Sequence, residues 1–299
     1  VSHLLVPTLA PLEVPGRLER LRERLAGAEV DALVLTNLTN IRYLTGFSGS
    51  AGIVVLDTER ALLTTDGRYR TQSAEQLAAS GAAGAVEIVV GGADDQQAAI
   101  KALVGEGSRV GLEAADVSWA QATAWSERLG RELVATTGLV EALREVKDVG
   151  EIDRMRHAAH IADTALGEVL ALLRGSVTAP ISEEEFALAL DGAMRRLGAE
   201  SVAFETIVAA GENSAKPHHH PSPRPIGLGD PVVIDFGATF EGYRSDMTRS
   251  FVVGGEPTGE LATIFDTVLR SQAAGVASVA PGVGAAAVDA TCRELIADA

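Results

Sequence analysis

The chain is predicted to hold two domains of different architecture, an α/β domain over residues 1–146 and an α+β domain over residues 147–299. Three observations carry this reading. At 299 residues the chain is long enough for two hydrophobic cores. In its first half, apolar runs of strand length alternate with amphipathic stretches of helix length, the pattern of a sheet covered by helices. In its second half, two long helical stretches precede a group of strands and two further helices, the pattern of helices packed on an antiparallel sheet.

The elements follow in order. From Pro15 to Ala26 the leucines at 18, 21 and 25 share one helical face, with Pro15 at the start and Gly27 just past the end. Strands are expected at 31–36, 52–57, 61–65, 87–90 and 109–113, and helices at 69–79, 95–104 and 119–129. Gly46, Gly49 and Gly52 lack the dinucleotide-binding spacing and read as a turn between strands. Trp119 and Trp125 read as packing anchors, the alternative being that one lines a dimer groove. Arg68 and Tyr69 are either structural or reach toward a partner subunit.

The domain boundary falls near Lys147-Asp148. Asp148 with Glu151 forms a capping-box pattern that opens a long helix to Arg174, where Gly175 can end it. Ser182 with Glu185 repeats the signature for a second helix closed at Gly198. A strand at 204–209, a loop to Gly229, a hairpin, and helices at 260–279 and 285–297 complete the chain. His157 and His160, three apart on the first of these helices, read as a solvated face, because no third metal ligand stands beside them. Cys292 reads as a small apolar filler on the last helix.

Composition excludes several classes. Twenty-five Lys plus Arg against 41 Asp plus Glu give a net charge of −16, which repels phosphate backbones and argues against a nucleic-acid partner. No uninterrupted apolar run approaches the ~20 residues that span a bilayer, and Val1 to Gly27 shows no export signal. A single cysteine suits a reducing cytoplasm.

The chemistry concentrates in the segment from Ile234 to Asp246. Val232-Val-Ile-Asp-Phe reads as a buried strand and 244–253 as its antiparallel partner. A reversal about Phe240-Glu241 would set Asp235 directly opposite Asp246, where Cβ atoms lie about 4.5–5.5 Å apart and like charges repel. Among apolar neighbours such as Val233, Ile234 and Phe236, that arrangement calls for a metal ion between the carboxylates. A one-residue bulge would instead put the two on opposite faces. Upstream, Ala210-Gly-Glu-Asn-Ser-Ala-Lys-Pro-His-His-His-Pro is a loop able to bring an imidazole over the hairpin. His219 and His220 read as solvated loop positions, and His218, next to Pro217, as the functional one.

These segments carry a resemblance. Phe204-Glu-Thr-Ile-Val-Ala-Ala-Gly-Glu-Asn-Ser-Ala-Lys-Pro-His-His, Gly229-Asp-Pro-Val-Val-Ile-Asp-Phe-Gly-Ala and Glu241-Gly-Tyr-Arg-Ser-Asp-Met-Thr-Arg-Ser-Phe resemble the pita-bread metallopeptidases, in particular the aminopeptidase P and prolidase branch that cleaves before proline. Asn40-Ile-Arg-Tyr-Leu-Thr-Gly-Phe-Ser-Gly-Ser, Thr65-Asp-Gly-Arg-Tyr-Arg-Thr-Gln and Leu143-Arg-Glu-Val-Lys-Asp resemble the creatinase-like N-terminal domain that precedes it. The resemblance implies an Xaa-Pro exopeptidase working through two divalent ions, manganese first and cobalt or zinc next, in a homodimer acting on Xaa-Pro peptides. It implies that Asp235 binds one ion, Asp246 bridges both, His218 assists at the scissile carbonyl, and Thr248 hydrogen-bonds behind the ligands.

The resemblance also exposes a departure. The family completes its site with one histidine and two glutamates from later segments, whereas residues 247–299 contain no histidine and only Glu256, Glu260 and Glu294. The chain thus reads as a C-terminally shortened member with an incomplete pita-bread domain and doubtful metal occupancy, expected to aggregate or recruit a partner. Two other functions stay open: a catalytically inactive pita-bread module that binds peptides or proteins, and a metal-free creatinase-like amidinohydrolase.

Overall fold

A computed structural model describes residues 8–175 and 179–299. The opening stretch, read above for an export signal, lies partly outside the described residues. Two compact units emerge, one over Pro7–Arg154 and the other including Met155–Ala299.

The first unit contains helix α1 (Pro15–Leu25), strand β1 (Ala32–Leu35), α2 (Leu38–Thr45), β2 (Ile53–Asp57), β3 (Ala61–Thr65), α3 (Arg70–Ser80), β4 (Glu87–Val90), α4 (Ala93–Val104), β5 (Val110–Glu113), α5 (Trp119–Leu129), β6 (Leu133–Thr136) and α6 (Glu141–Arg144). Its six strands form one mixed sheet in the order β4-β3-β2-β1-β5-β6. The central strands are buried on both faces, and their alternation separates two cores. Leu33, Leu35, Val54 and Leu56 pack with α1 and α2 residues such as Leu18, Leu21, Ile41 and Leu44. Ala32, Val34 and Val55 pack on the other side with Ile100, Leu103, Trp125 and Leu129 of α4 and α5. Arg17 lies in this unit almost wholly buried, held by Asp148 at 2.7 Å and Glu151 at 3.3 Å.

Among the described residues of this unit, three helices or strands lie outside the sequence expectations: α2, β6 and α6. Helix α2 has poor intrinsic propensity but firm ends. The Asn37 side chain accepts from the Thr39 and Asn40 amides, and Gly46 closes the helix at φ 77°. Gly46 to Gly52 therefore joins a helix to a strand instead of two strands. Trp119 corrects another expectation: it is 88% exposed at the start of α5, and only Trp125 anchors the core.

The second unit takes most of α7 (Val149–Gly175), then α8 (Glu183–Arg196), β7 (Ser201–Val202), β8 (Ile207–Ala210), β9 (Pro231–Phe236), β10 (Ala238–Phe240), β11 (Tyr243–Arg244), β12 (Met247–Val252), α9 (Glu260–Ser278) and α10 (Ala285–Ala297). Both expected capping boxes form, Asp148 with Glu151 and Ser182 with Glu185. Two three-stranded antiparallel sheets, β11-β10-β7 and β12-β9-β8, share one long hairpin. Between them the chain bends at Gly237, where a Cβ would collide with the Ser245 carbonyl, so only glycine permits the approach. The buried Ser245 hydroxyl fastens the bend, accepting from the Ala238 amide at 3.0 Å and donating to the Ala158 carbonyl of α7 at 3.2 Å. Cys292 does act as a filler, its sulfur packed where Gly275 of α9 leaves room.

His157 departs from its expected solvated face. It is 4% exposed, with its ring edge-on to Phe240 at 4.4 Å. His160 stays exposed.

Candidate metal and peptide site

The hairpin register differs from the expected one. Glu241 and Gly242 form the turn with φ of 47° and 85°, both left-handed, the sign pattern of a type I′ hairpin. Phe240 cannot serve as a turn residue because its ring is buried against His157. Moving the reversal one residue along slides the pairing by two. Asp235 therefore stands opposite Thr248, not Asp246. A slip of two preserves the face, so Asp246 becomes a diagonal neighbour of Asp235 instead of crossing to the other side.

Thr248 fills the direct position and donates its hydroxyl to Asp235 Oδ1 at 2.8 Å. Along β9, Val232, Ile234 and Phe236 are fully buried while Asp235 is half-buried on the opposite face. Asp246 is exposed. The expected apolar surroundings thus lie behind the carboxylates, and their oxygens face an open cleft of about 340 Å³. The histidine loop, the irregular segment between β7 and β8 and the first residue of β8 supply its remaining walls: His218, His219, His220, Phe204, Glu205 and Ile207. Asp235, Asp246 and His218 meet here. Among the described residues, no protein donor reaches Asp246, and His218 has no side-chain hydrogen bond.

The three histidines have different lots. His220 is exposed and pairs with Glu205 at 3.1 Å. His219 corrects its solvated reading, since its Nε2 lies 2.8 Å from Oε2 of the fully buried Glu183. Glu183 sits at the first position of α8. Its Oε1 accepts from the Ala210 amide at 2.7 Å and Asn213 Nδ2 at 3.1 Å. Its Oε2 accepts from His219 and from the Ser222 amide and hydroxyl at 3.1 and 2.6 Å. Burial alone would raise this carboxyl's pKa, but donors from Ser222, His219, Ala210 and Asn213 overcome it and lower the pKa to about 2. An ionised carboxylate is acceptor-only, so His219 Nε2 carries the proton. Sequence reasoning did not single out Glu183. A glutamate directly after the N-cap serine is an ordinary helix start, and nothing in the local pattern announces its distant partners.

A second carboxylate group lies in the first unit. Ligand oxygens of Glu113, Asp116 and Glu141 fall within 4.8 Å of one another. They are already engaged. Glu113 accepts from the Thr36 and Asn37 amides and from Asn40 Nδ2, which also donates to Glu141, while Asn37 Nδ2 donates to Asp116.

Comparison with known proteins places the chain. Residues 17–146 match the Creatinase/Prolidase N-terminal domain, and residues 153–299 match metallopeptidase family M24. An uncharacterized peptidase of Bacillus subtilis, YqhT, is 36% identical over 94% of this chain and 77% of its own length. The chain belongs to the M24 metallopeptidases, a family that binds divalent metals, and carries their creatinase-type N-terminal domain. An Xaa-Pro dipeptidase of Pyrococcus furiosus is 30% identical over 94% of this chain and 76% of that protein. Among solved structures, an Xaa-Pro dipeptidase from Bacillus anthracis superposes with TM-score 0.86 at 36% identity, covering 94% of this chain and 77% of that one. An X-Pro aminopeptidase from Thermotoga maritima gives TM-score 0.79 at 34% identity, covering 93% and 77%. The creatinase-plus-pita-bread architecture is thereby established. Among the described residues, no helix is long and apolar enough to cross a membrane.

Proposed function

We propose that the protein is a metal-dependent exopeptidase that hydrolyses the Xaa-Pro bond of dipeptides or peptide N-termini. The observation that carries this reading is the meeting of Asp235, Asp246 and His218 in one cleft of an M24 fold. The donor set suits a divalent ion: among the described residues, Asp235 has one oxygen held by Thr248 and Asp246 none held by protein, and hard carboxylate oxygens favour manganese, with cobalt or zinc as alternatives. Two carboxylates do not by themselves close a coordination shell. Asp235 and Asp246 would hold the metal. When bound, it supplies a Lewis acid and lowers the pKa of a water molecule.

The chain's own residues do the rest. Thr248 fixes the orientation of the Asp235 carboxylate. His218, facing the same cleft, donates a hydrogen bond to the scissile carbonyl oxygen as it gains negative charge. The leaving nitrogen of an Xaa-Pro bond is a tertiary amide nitrogen with no hydrogen of its own, and like any amide nitrogen it must be protonated before it departs, by the proton that the attacking water gives up. Phe204 and Ile207 offer apolar surface for the pyrrolidine ring. A homodimer and a cytoplasmic location, the latter resting on the single cysteine, belong to the same proposal.

The test is hydrolysis of an Xaa-Pro dipeptide and a longer Xaa-Pro peptide with manganese added. Activity should vanish with a chelator and fall about 10³-fold or more in D246N. Turnover that survives both treatments would refute the reading.

A further inference from the structure

We infer that Glu183, remote in sequence from the cleft, is a positioning residue that sets where His218 stands; the inference rests on the peptidase reading proposed above. The loop from Ala210 to Ser222 is tied at both ends to a single buried carboxylate. Its entry is held through Ala210 and Asn213 on Oε1, and its exit through His219 and Ser222 on Oε2. The tie is reciprocal. The Glu183 and Glu184 amides at the start of α8 donate to the carbonyls of Arg224 and Ser222, at 3.1 and 3.2 Å, so helix and loop each satisfy the other's unpaired backbone groups. Negative charge at this helix N-terminus is favoured in its own right.

His218 sits one residue from the anchored His219 ring and makes no side-chain hydrogen bond among the described residues. Its position is therefore inherited from the loop backbone, and the loop backbone is referenced to Glu183. Local turns stiffen the span between. Lys216 Nζ donates to Asn213 Oδ1 at 2.7 Å, the Lys216 amide to the Asn213 carbonyl at 2.9 Å, and the His219 amide to the Lys216 carbonyl at 3.2 Å. A neutral amide cannot replace the carboxylate. Glutamine at 183 would turn its own NH₂ toward donors on one side of the group, leaving either the entry pair or the exit trio opposed.

The experiment compares wild type with E183Q and H219A. It follows the His218 ring signals by ¹⁵N-histidine NMR without metal, and kcat and KM on an Xaa-Pro dipeptide with manganese. In E183Q the His218 signals should shift or broaden, because whichever way the amide turns, one end of the loop loses its acceptor. The kcat should fall about 100-fold, as expected for a displaced catalytic group, while KM changes less than about threefold. H219A removes only the tie beside His218 and should move the same signals with a smaller loss of kcat. If E183Q fails to fold, H219A alone decides. His218 signals and kcat unchanged in the folded variants would overturn the inference. Wild type without Xaa-Pro hydrolysis, but with His218 signals that move in E183Q, would refute the peptidase reading and leave the positioning role standing.

Discussion

The molecule holds two groups of carboxylates, and the group that looks more like a metal site is not the one we assign. Glu113, Asp116 and Glu141 converge within 4.8 Å, yet Asn37, Asn40 and backbone amides already donate to them. Asp235 and Asp246 are only diagonal neighbours, yet a single threonine hydroxyl is their whole complement of protein donors among the described residues. The difference teaches that convergence is a poor mark of a cation site. Lone pairs left open toward a cleft, beside an imidazole held in place by its loop, are a better one.

The contrast can be sharpened by variants of decreasing consequence. After D246N and E183Q, the next largest effect belongs to Thr248. Replacing it with valine leaves Asp235 without its orienting hydroxyl and should lower activity or metal affinity about 10–100-fold at unchanged melting temperature. A melting temperature that falls as steeply as the activity would make Thr248 a structural residue instead. In the first unit, E113Q should do the reverse. Losing acceptor capacity opposite two amides and Asn40 should cost about 1–3 kcal/mol of stability, with kcat per folded molecule unchanged. Reduced metal affinity in that variant would break the distinction between the two groups.

The smallest effect concerns His157. Burial chiefly, with help from His160 on the same helix and against the pull of Glu241 on the hairpin, lowers its pKa below 6.5. The fold binds the neutral ring, so the contribution is fully present above pH 6.5 and is lost as pH falls through the lowered folded value. Wild type should lose a few degrees of melting temperature between pH 7 and 5, a slope that H157F should flatten. An identical slope in both proteins would remove His157 from the account.

Much of the fold was readable because its signals are local. The leucines at 18, 21 and 25, the apolar runs of β1 to β3, and two capping boxes each declare an element within a few residues. Helix α2 was not readable, since capping by Asn37 and Gly46 outweighs a sequence of weak helix formers. Of the site, the residue identities were legible and the register was not. Glu241-Gly242 and Phe240-Glu241 are equally short reversals on paper, and the choice between them depends on Phe240 packing against a histidine some 80 residues earlier in the chain. Glu183 was invisible for the same reason: its partners lie 27 to 39 positions away.

The most direct test of the central claim is manganese titration of wild type, D235N and E113Q by calorimetry under one set of conditions. The account predicts that wild type and E113Q bind with the same affinity and that D235N loses binding. Retained binding in D235N together with loss in E113Q would move the metal to the first unit and contradict the assignment.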